Sequence, residues 1–217
     1  MTFTVQPIPV GSRLVDSAAA QWSASDCATL KAHGVDGVIG YFESLTPQKV
    51  LNILNAGLGL SFVGYARKPM TWDPSAQMGA DDAGAAITKV AALASACGFD
   101  PAGLVQSLDL EGCRGNVDQT TAYVTAFGQV TMSQGKQPGG LYVGDSQPLD
   151  GAQLYAISTI NHYWKSFSRV PEVTCGWQVI QLWKSQPAPG GLPFEVDYNV
   201  AQMDWHDRQS TWLKAAA

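Results

Sequence analysis

Two carboxylates stand two residues apart in Leu104-Val105-Gln106-Ser107-Leu108-Asp109-Leu110-Glu111-Gly112. The run alternates apolar and polar residues, delivers Asp109 and Glu111, and stops at glycine. Side chains two apart on a strand share a face. Their Cα atoms then lie about 6.5–7 Å apart, at ~3.3 Å of rise per residue. Glycosidases need two such carboxyls around the scissile bond, one of them able to hold a proton near neutral pH. A lone DxE is more often incidental, with Asp109 capping the next loop and Glu111 solvated. The surrounding elements decide between the two readings.

Those elements alternate. Residues 1–13 form an extended lead-in, and Arg13–Asp16 is a first short strand ending in an acid. A helix follows over Ser25–His33, with Ser23 or Ser25 as N-cap and Gly34 as its stop. Val35–Glu43 is a second strand, again ending in an acid. Thr46-Pro47 opens a helix to Ala56, and Leu58–Arg67 is a third strand. A loop, Lys68–Met78, carries Trp72. An alanine-rich helix spans Gly79–Cys97 before the DxE strand, and Asp118 caps a helix through Gln134. Gly140–Gly144 is strand five, and Asp150–Ile160 is a short helix. His162–Ser166 is a weak strand six with a vestigial helix. Trp177–Trp183 and Phe194–Asn199 are strands seven and eight, and Arg208–Ala216 reads as a closing helix.

Alternating strands and helices with short loops predict parallel strands with crossover helices. Eight strands in 217 residues fit a single α/β domain, a compact (β/α)₈ TIM-like barrel with some helices reduced. The alternative is an open doubly wound sheet. Against it, Asp16-Ser17-Ala18 stands where a glycine-rich nucleotide fingerprint would follow the first strand.

In such a barrel the active site gathers at the C-terminal ends of the strands. Those ends carry Asp16, Glu43, Arg67, Asp109 with Glu111, Tyr142, Gln181 with Trp183, and Asp197 with Asn199. Four strands end in acids although the chain has only 18, so the clustering raises the catalytic reading of Asp109 and Glu111. Trp22, Trp72, Trp164, Trp177, Trp183 and Tyr142 lie in the same loops and strand ends, where aromatic faces can stack on sugar rings. Trp183 by alternation and Trp72 by loop position are the candidates for exposure. An acid cluster of Asp16, Asp109, Glu111 and Asp197 could also hold a hard cation, which ranks below glycosidase chemistry.

Composition excludes several classes. Net charge is −5, with no basic footprint for nucleic acid. The weakly polar run Ala83–Phe99 is interrupted by Thr88, Lys89 and Ser95 and is too short to span a membrane. Met1–Val10 has no basic segment and is broken by Pro7 and Pro9, so no signal peptide is expected. Cys27, Cys97, Cys113 and Cys175 show no CxxC or Cys/His cluster, so neither metal nor cofactor is expected. Cys27 and Cys97 read as small core residues; a disulfide between Cys113 and Cys175 stays open. His33 reads as a helix-end residue, and His162 and His206 have no metal-spaced partner.

The segments GVDGVIGYF (34–42), LTPQKVLNILNAGLGLSFVGYAR (45–67), GADDAGAAITKVAALASACGF (79–99), LVQSLDLEG (104–112), GGLYVG (139–144), WQVIQLW (177–183) and VDYN (196–199) resemble, in order, the lysozyme-like barrels of glycoside hydrolase family 25. They resemble more closely the related glycoside-hydrolase-like domain of unknown function 1906. The resemblance implies cleavage of the β-1,4 bond between N-acetylmuramic acid and N-acetylglucosamine in peptidoglycan by a monomer. It implies Glu111 as general acid and Asp109 as partner carboxylate. Asp197 and Asp16 would complete an acid ring and position water; by their place at strand ends and in the loop, Glu43, Arg67, Trp72, Tyr142, Gln181, Trp183 and Asn199 are the candidates to line the substrate. It further implies delivery to the wall by a holin or a secretion machine. A carbohydrate-binding barrel without catalysis is the alternative.

Overall fold

The computed structural model describes residues 2–64 and 67–216. The chain opens with β1 (Phe3–Pro7), which lies outside the barrel. The barrel begins with β2 (Arg13–Asp16) and continues through β3 (Gly37–Tyr41), β4 (Gly59–Gly64), β5 (Gln106–Leu110), β6 (Gly139–Val143), β7 (Ile160–Lys165) and β8 (Val179–Pro187), all parallel. It closes through β9 (Glu195–Ala201), which pairs with both β8 and β2. Five helices cover the outside: α1 (Ala24–Ala32), α2 (Pro47–Asn55), α3 (Ala76–Cys97), α4 (Val117–Gly135) and α5 (Gly151–Ala156). Each follows one of the strands β2 to β6. The sequence marks their starts: Ser23, Thr46, Ser75, Asn116 and Asp150 each accept a backbone N–H of the first turn.

Two apolar layers fill the space between sheet and helices, one under α1 and α2 and one under α4 and α5. A third fills the barrel interior with Leu14, Ile39, Val63, Tyr142, Trp164, Val179 and Ala201. These are the inward positions of their strands, the parity that also carries the acids to the rim.

The single-barrel expectation holds, and four details change. Strand eight (β9) runs antiparallel, not parallel. Only a 3₁₀ turn at Pro189–Gly191 separates it from β8, and a parallel return needs a crossover of about a dozen residues or more. The closing helix is a strand, β10 (Thr211–Ala215). It pairs antiparallel with β1 and touches β4 at Leu213 and Leu60. Pairing with β1 overrides the helical preference of Leu213-Lys214-Ala215. The alanine-rich helix starts earlier, at Ala76, and α5 stops at Ala156. All four cysteines are free thiols, so Cys113 and Cys175 are not joined. The expected third strand ends at Gly64 within the described residues; Tyr65 and Ala66 lie outside them.

β10 also closes the barrel's lower end. Trp212 is 2% exposed and joins the interior cluster. A methyl group on Gly59 would stand 2.2 Å from the Trp212 ring, so that strand needs glycine there. The N-terminal ends of the strands are therefore plugged, and the opposite rim is open.

Candidate active site

The open rim is built from inward residues of six strands. Asp16 ends β2, and its Cα partner across the antiparallel pair is Asp197 of β9. Because β9 is reversed, Asp197 lies near its beginning, which is the same rim. Inward parity survives reversal, so the expected position was reached by a strand of the opposite sense.

Asp16 and Asp197 are held by hydrogen bonds. Asn199 Nδ2 donates to Asp16 Oδ2 at 2.8 Å, and the Tyr41 hydroxyl donates to Asp16 Oδ1 at 3.4 Å. Trp164 Nε1 fixes Asn199 by donating to its Oδ1 at 2.9 Å. Gln181 Nε2 donates to Asp197 Oδ2 at 2.6 Å, and the Ser185 N–H donates to Asp197 Oδ1 at 2.7 Å. Gln181 Oε1 in turn accepts from the Tyr142 hydroxyl at 3.2 Å and from the Phe167 N–H at 2.8 Å. Asp16, Gln181, Asn199 and Tyr142 are all buried. Burial, reinforced by the charge of Asp197, pushes the Asp16 carboxyl up to about 7 despite the Asn199 and Tyr41 hydrogen bonds.

Asp109 and Glu111 face this pair. Asp109 is 6% exposed, and its Oδ1 is buried with no hydrogen-bond partner among the described residues. Burial first, then the charges of Glu111 and Asp16, push its carboxyl up to about 8, against the pull of Lys184. At pH 7 it is therefore a proton-bearing acid inside a ring of carboxylates. Glu111 follows β5 at the mouth, its side chain 27% exposed, with Lys184 Nζ 3.8 Å from its Oε1. Gly112 ends the segment with φ +58°, and a Cβ there would stand 2.5 Å from Pro69. The turn after the acids needs glycine on both counts.

The other expected residues are distributed unequally. Glu43 lies beyond β3 in an exposed turn, beside Tyr41 in a shallow hollow, and its charge acts on Asp109. Trp72 is not exposed: it is 7% accessible, packs edge-on against Tyr123, and donates Nε1 to the Glu111 carbonyl at 3.3 Å. The loop after β4 folds back onto the DxE segment, so loop position did not translate into exposure. Arg67 lies over Trp72 and donates to Asp82 of α3 and Tyr123 of α4. These two side chains support the DxE segment from behind. Trp183 is 58% exposed, but it lines an open hollow with Gln186, Pro187 and Tyr198 rather than with the acids. An adjoining hollow of about 540 Å³ does reach them, lined by Asp16, Tyr41, Ser185, Phe194, Glu195 and Asp197 among others.

Sequence reasoning passed over Tyr41, Lys184 and Ser185. Tyr41 was legible, being two residues from Ile39 on the inward parity of β3. Lys184 and Ser185 were not, because β8 breaks its alternation before reaching them. Among the described residues, no three His, Cys, Asp or Glu side chains are grouped to share a metal ion.

This barrel has solved relatives in shape. No family model matches the sequence, and no curated protein matches it. The crystal structure of an uncharacterized B. stearothermophilus protein superimposes with a TM-score of 0.67 at 15% identity, covering 88% of this chain and 96% of that one. The Clostridium perfringens spore cortex lytic enzyme SleM gives 0.59 at 13% identity, over 92% of this chain and 67% of that one. The CTP1L endolysin gives 0.54 at 14% identity, over 88% of this chain and 66% of that one. At these identities the shared property is the fold.

Proposed function

We propose that this protein is a peptidoglycan-degrading glycoside hydrolase that cleaves the β-1,4 bond between N-acetylmuramic acid and N-acetylglucosamine. The observation that carries the reading is Asp109, a buried carboxyl holding a proton to about pH 8 at the open mouth of a barrel ringed by acids. Glycoside hydrolysis needs a pair of carboxyls within reach of one bond, and a neutral deeper partner donates a hydrogen bond to the sugar instead of adding a second charge. The fold neighbours add support, since they include a spore cortex lytic enzyme and an endolysin. The resemblance of the ordered segments to the family 25 lysozymes and domain 1906 supports the same reading.

Glu111, at the mouth, protonates the glycosidic oxygen. Asp109, neutral and deeper, donates a hydrogen bond to the acetamido carbonyl of the bound sugar and orients it. Asp16 and Asp197 form the opposite wall, where the negative charge the pair shares stabilises an oxocarbenium-like transition state and holds the attacking water. Asn199 and Gln181 keep those two acids in place.

The test is the release of new reducing ends from purified peptidoglycan, with Glu111→Gln alongside. The wild type should release them, and the variant should lose about 10²–10⁴-fold in rate with its circular dichroism unchanged. Cleavage by the variant at the wild-type rate would sink the assignment of Glu111. Saturable binding without new reducing ends would instead identify a glycan-binding barrel.

A further inference from the structure

β8 is not a regular strand. Its register against β9 runs Gln181 to Asn199, Trp183 to Tyr198, and Gln186 to Val196, so it carries one extra residue twice. Each extra residue is a bulge, and a bulge beside a site re-aims side chains. Strict alternation from Gln181 would turn Trp183 inward and Lys184 outward. The first bulge reverses this. Trp183 opposes Tyr198 and stands exposed, while the Lys184 ammonium reaches the lumen side, 3.8 Å from Glu111 Oε1. Ser185 follows with φ +48° and aims its N–H at Asp197. Two bulges and a left-handed serine thus place one cation and one backbone donor over the acid ring.

That cation has more neighbours than one ion pair requires. Its charge acts on Glu111, Asp109 and Asp16, and the rim also holds Asp197 and Glu43. The Lys184 side chain is 39% exposed, so the solvent through which a ligand arrives reaches it. A neutral glycan can enter such a cleft unaided. A glycan bearing a carboxylate meets repulsion from the ring unless a cation receives it.

We propose that Lys184 is the specificity residue of this cleft: its ammonium receives a carboxylate carried on the glycan and so selects acidic glycans over neutral ones. The inference rests on the hydrolase reading above, because a wall glycan carries carboxylates on the lactyl ether of its sugar or on the attached peptide. The contact is a point-charge contact, so arginine preserves its sign.

The experiment uses the full chain as wild type, Lys184→Met and Lys184→Arg. Calorimetry measures binding of the N-acetylglucosamine–N-acetylmuramic acid disaccharide, of the same disaccharide with its peptide, and of N,N′-diacetylchitobiose. Lys184→Met should weaken the acidic ligands about tenfold, leave chitobiose unchanged, and be rescued largely by Lys184→Arg. An effect on the bare disaccharide identifies the lactyl carboxylate; an effect confined to the peptide-bearing ligand identifies the peptide. Unchanged affinity for both acidic ligands, an equal loss for chitobiose, or no binding of any ligand by the wild type overturns the assignment. A reducing-end assay separates the two readings. Selective binding without cleavage removes the hydrolase and keeps Lys184, whereas cleavage with unchanged binding by Lys184→Met keeps the hydrolase and removes Lys184.

Discussion

The two carboxyl pairs on the rim are built differently. Asp16 and Asp197 are joined by backbone register and accept hydrogen bonds from Asn199, Tyr41, Gln181 and Ser185. Asp109 has a buried oxygen with no donor among the described residues, and Glu111 beyond it reaches toward solvent. Hydrogen bonds to a carboxylate favour its charged form, and at Asp109 the charge of Lys184 stands against burial in their place. One pair is therefore fixed as a wall by its donors, and the other keeps its proton to higher pH, about 8 at Asp109 against about 7 at Asp16. The barrel places the two pairs on opposite arcs of its rim.

Three experiments bear on this contrast. The largest effect should come from Asp109→Ala, which removes the hydrogen-bond donor that asparagine would keep. Its rate should fall on the order of 10²-fold, and the alkaline limb of kcat/KM near pH 8 should vanish. Asp197→Asn should slow the reaction by less and keep that limb. Identical pH profiles for the two variants would abolish the distinction.

A middle-sized effect should appear in stability. The Asp109 carboxyl titrates higher in the folded protein than in the unfolded chain. Its contribution is thus fully present below about pH 4 and is lost as pH rises through about 8. Asp109→Asn should raise the melting temperature at pH 9, where the wild type must bury a charge, and do little at pH 4. A gain of roughly 2 kcal/mol would be about 4–8 °C for a chain of this size. A larger gain at pH 4 than at pH 9 would reverse the sign and defeat the argument.

The smallest effect belongs to the fixed pair. Trp164→Phe leaves Asn199 Oδ1 without its donor, at a cost of about 1–3 kcal/mol. The melting temperature should drop while the alkaline limb set by Asp109 stays in place. Movement of that limb would show that the two pairs are not independent.

The same arcs differ in how far the sequence reveals them. β2 through β6 follow a strict rhythm of strand, cap and helix: Thr46 announces its helix plainly, Ser23 rather than Ser25 caps α1, and Asn116, two residues before the expected Asp118, caps α4. Asp16, Asp109 and Glu111 lie on that regular side, and alternation alone finds them. From β7 onward the helices cease, β9 reverses, and β8 bulges twice. Asp197 and Asn199 survive the reversal because inward parity does not depend on strand direction. Lys184 does not survive the bulges, since one extra residue exchanges the two faces. Trp72 failed for another reason: its loop is clamped to the DxE segment by contacts distant in sequence, among them Tyr123. Leu213-Lys214-Ala215 misled because its partner strand lies at the other end of the chain.

The β1–β10 ribbon has a practical consequence. The Ala216 N–H donates to the Thr2 carbonyl at 2.9 Å, so both ends of the described chain meet beside the Trp212 plug. An affinity tag, fluorophore or carrier fused at either end would hang from the sealed base. It would leave the approach to the opposite rim unobstructed.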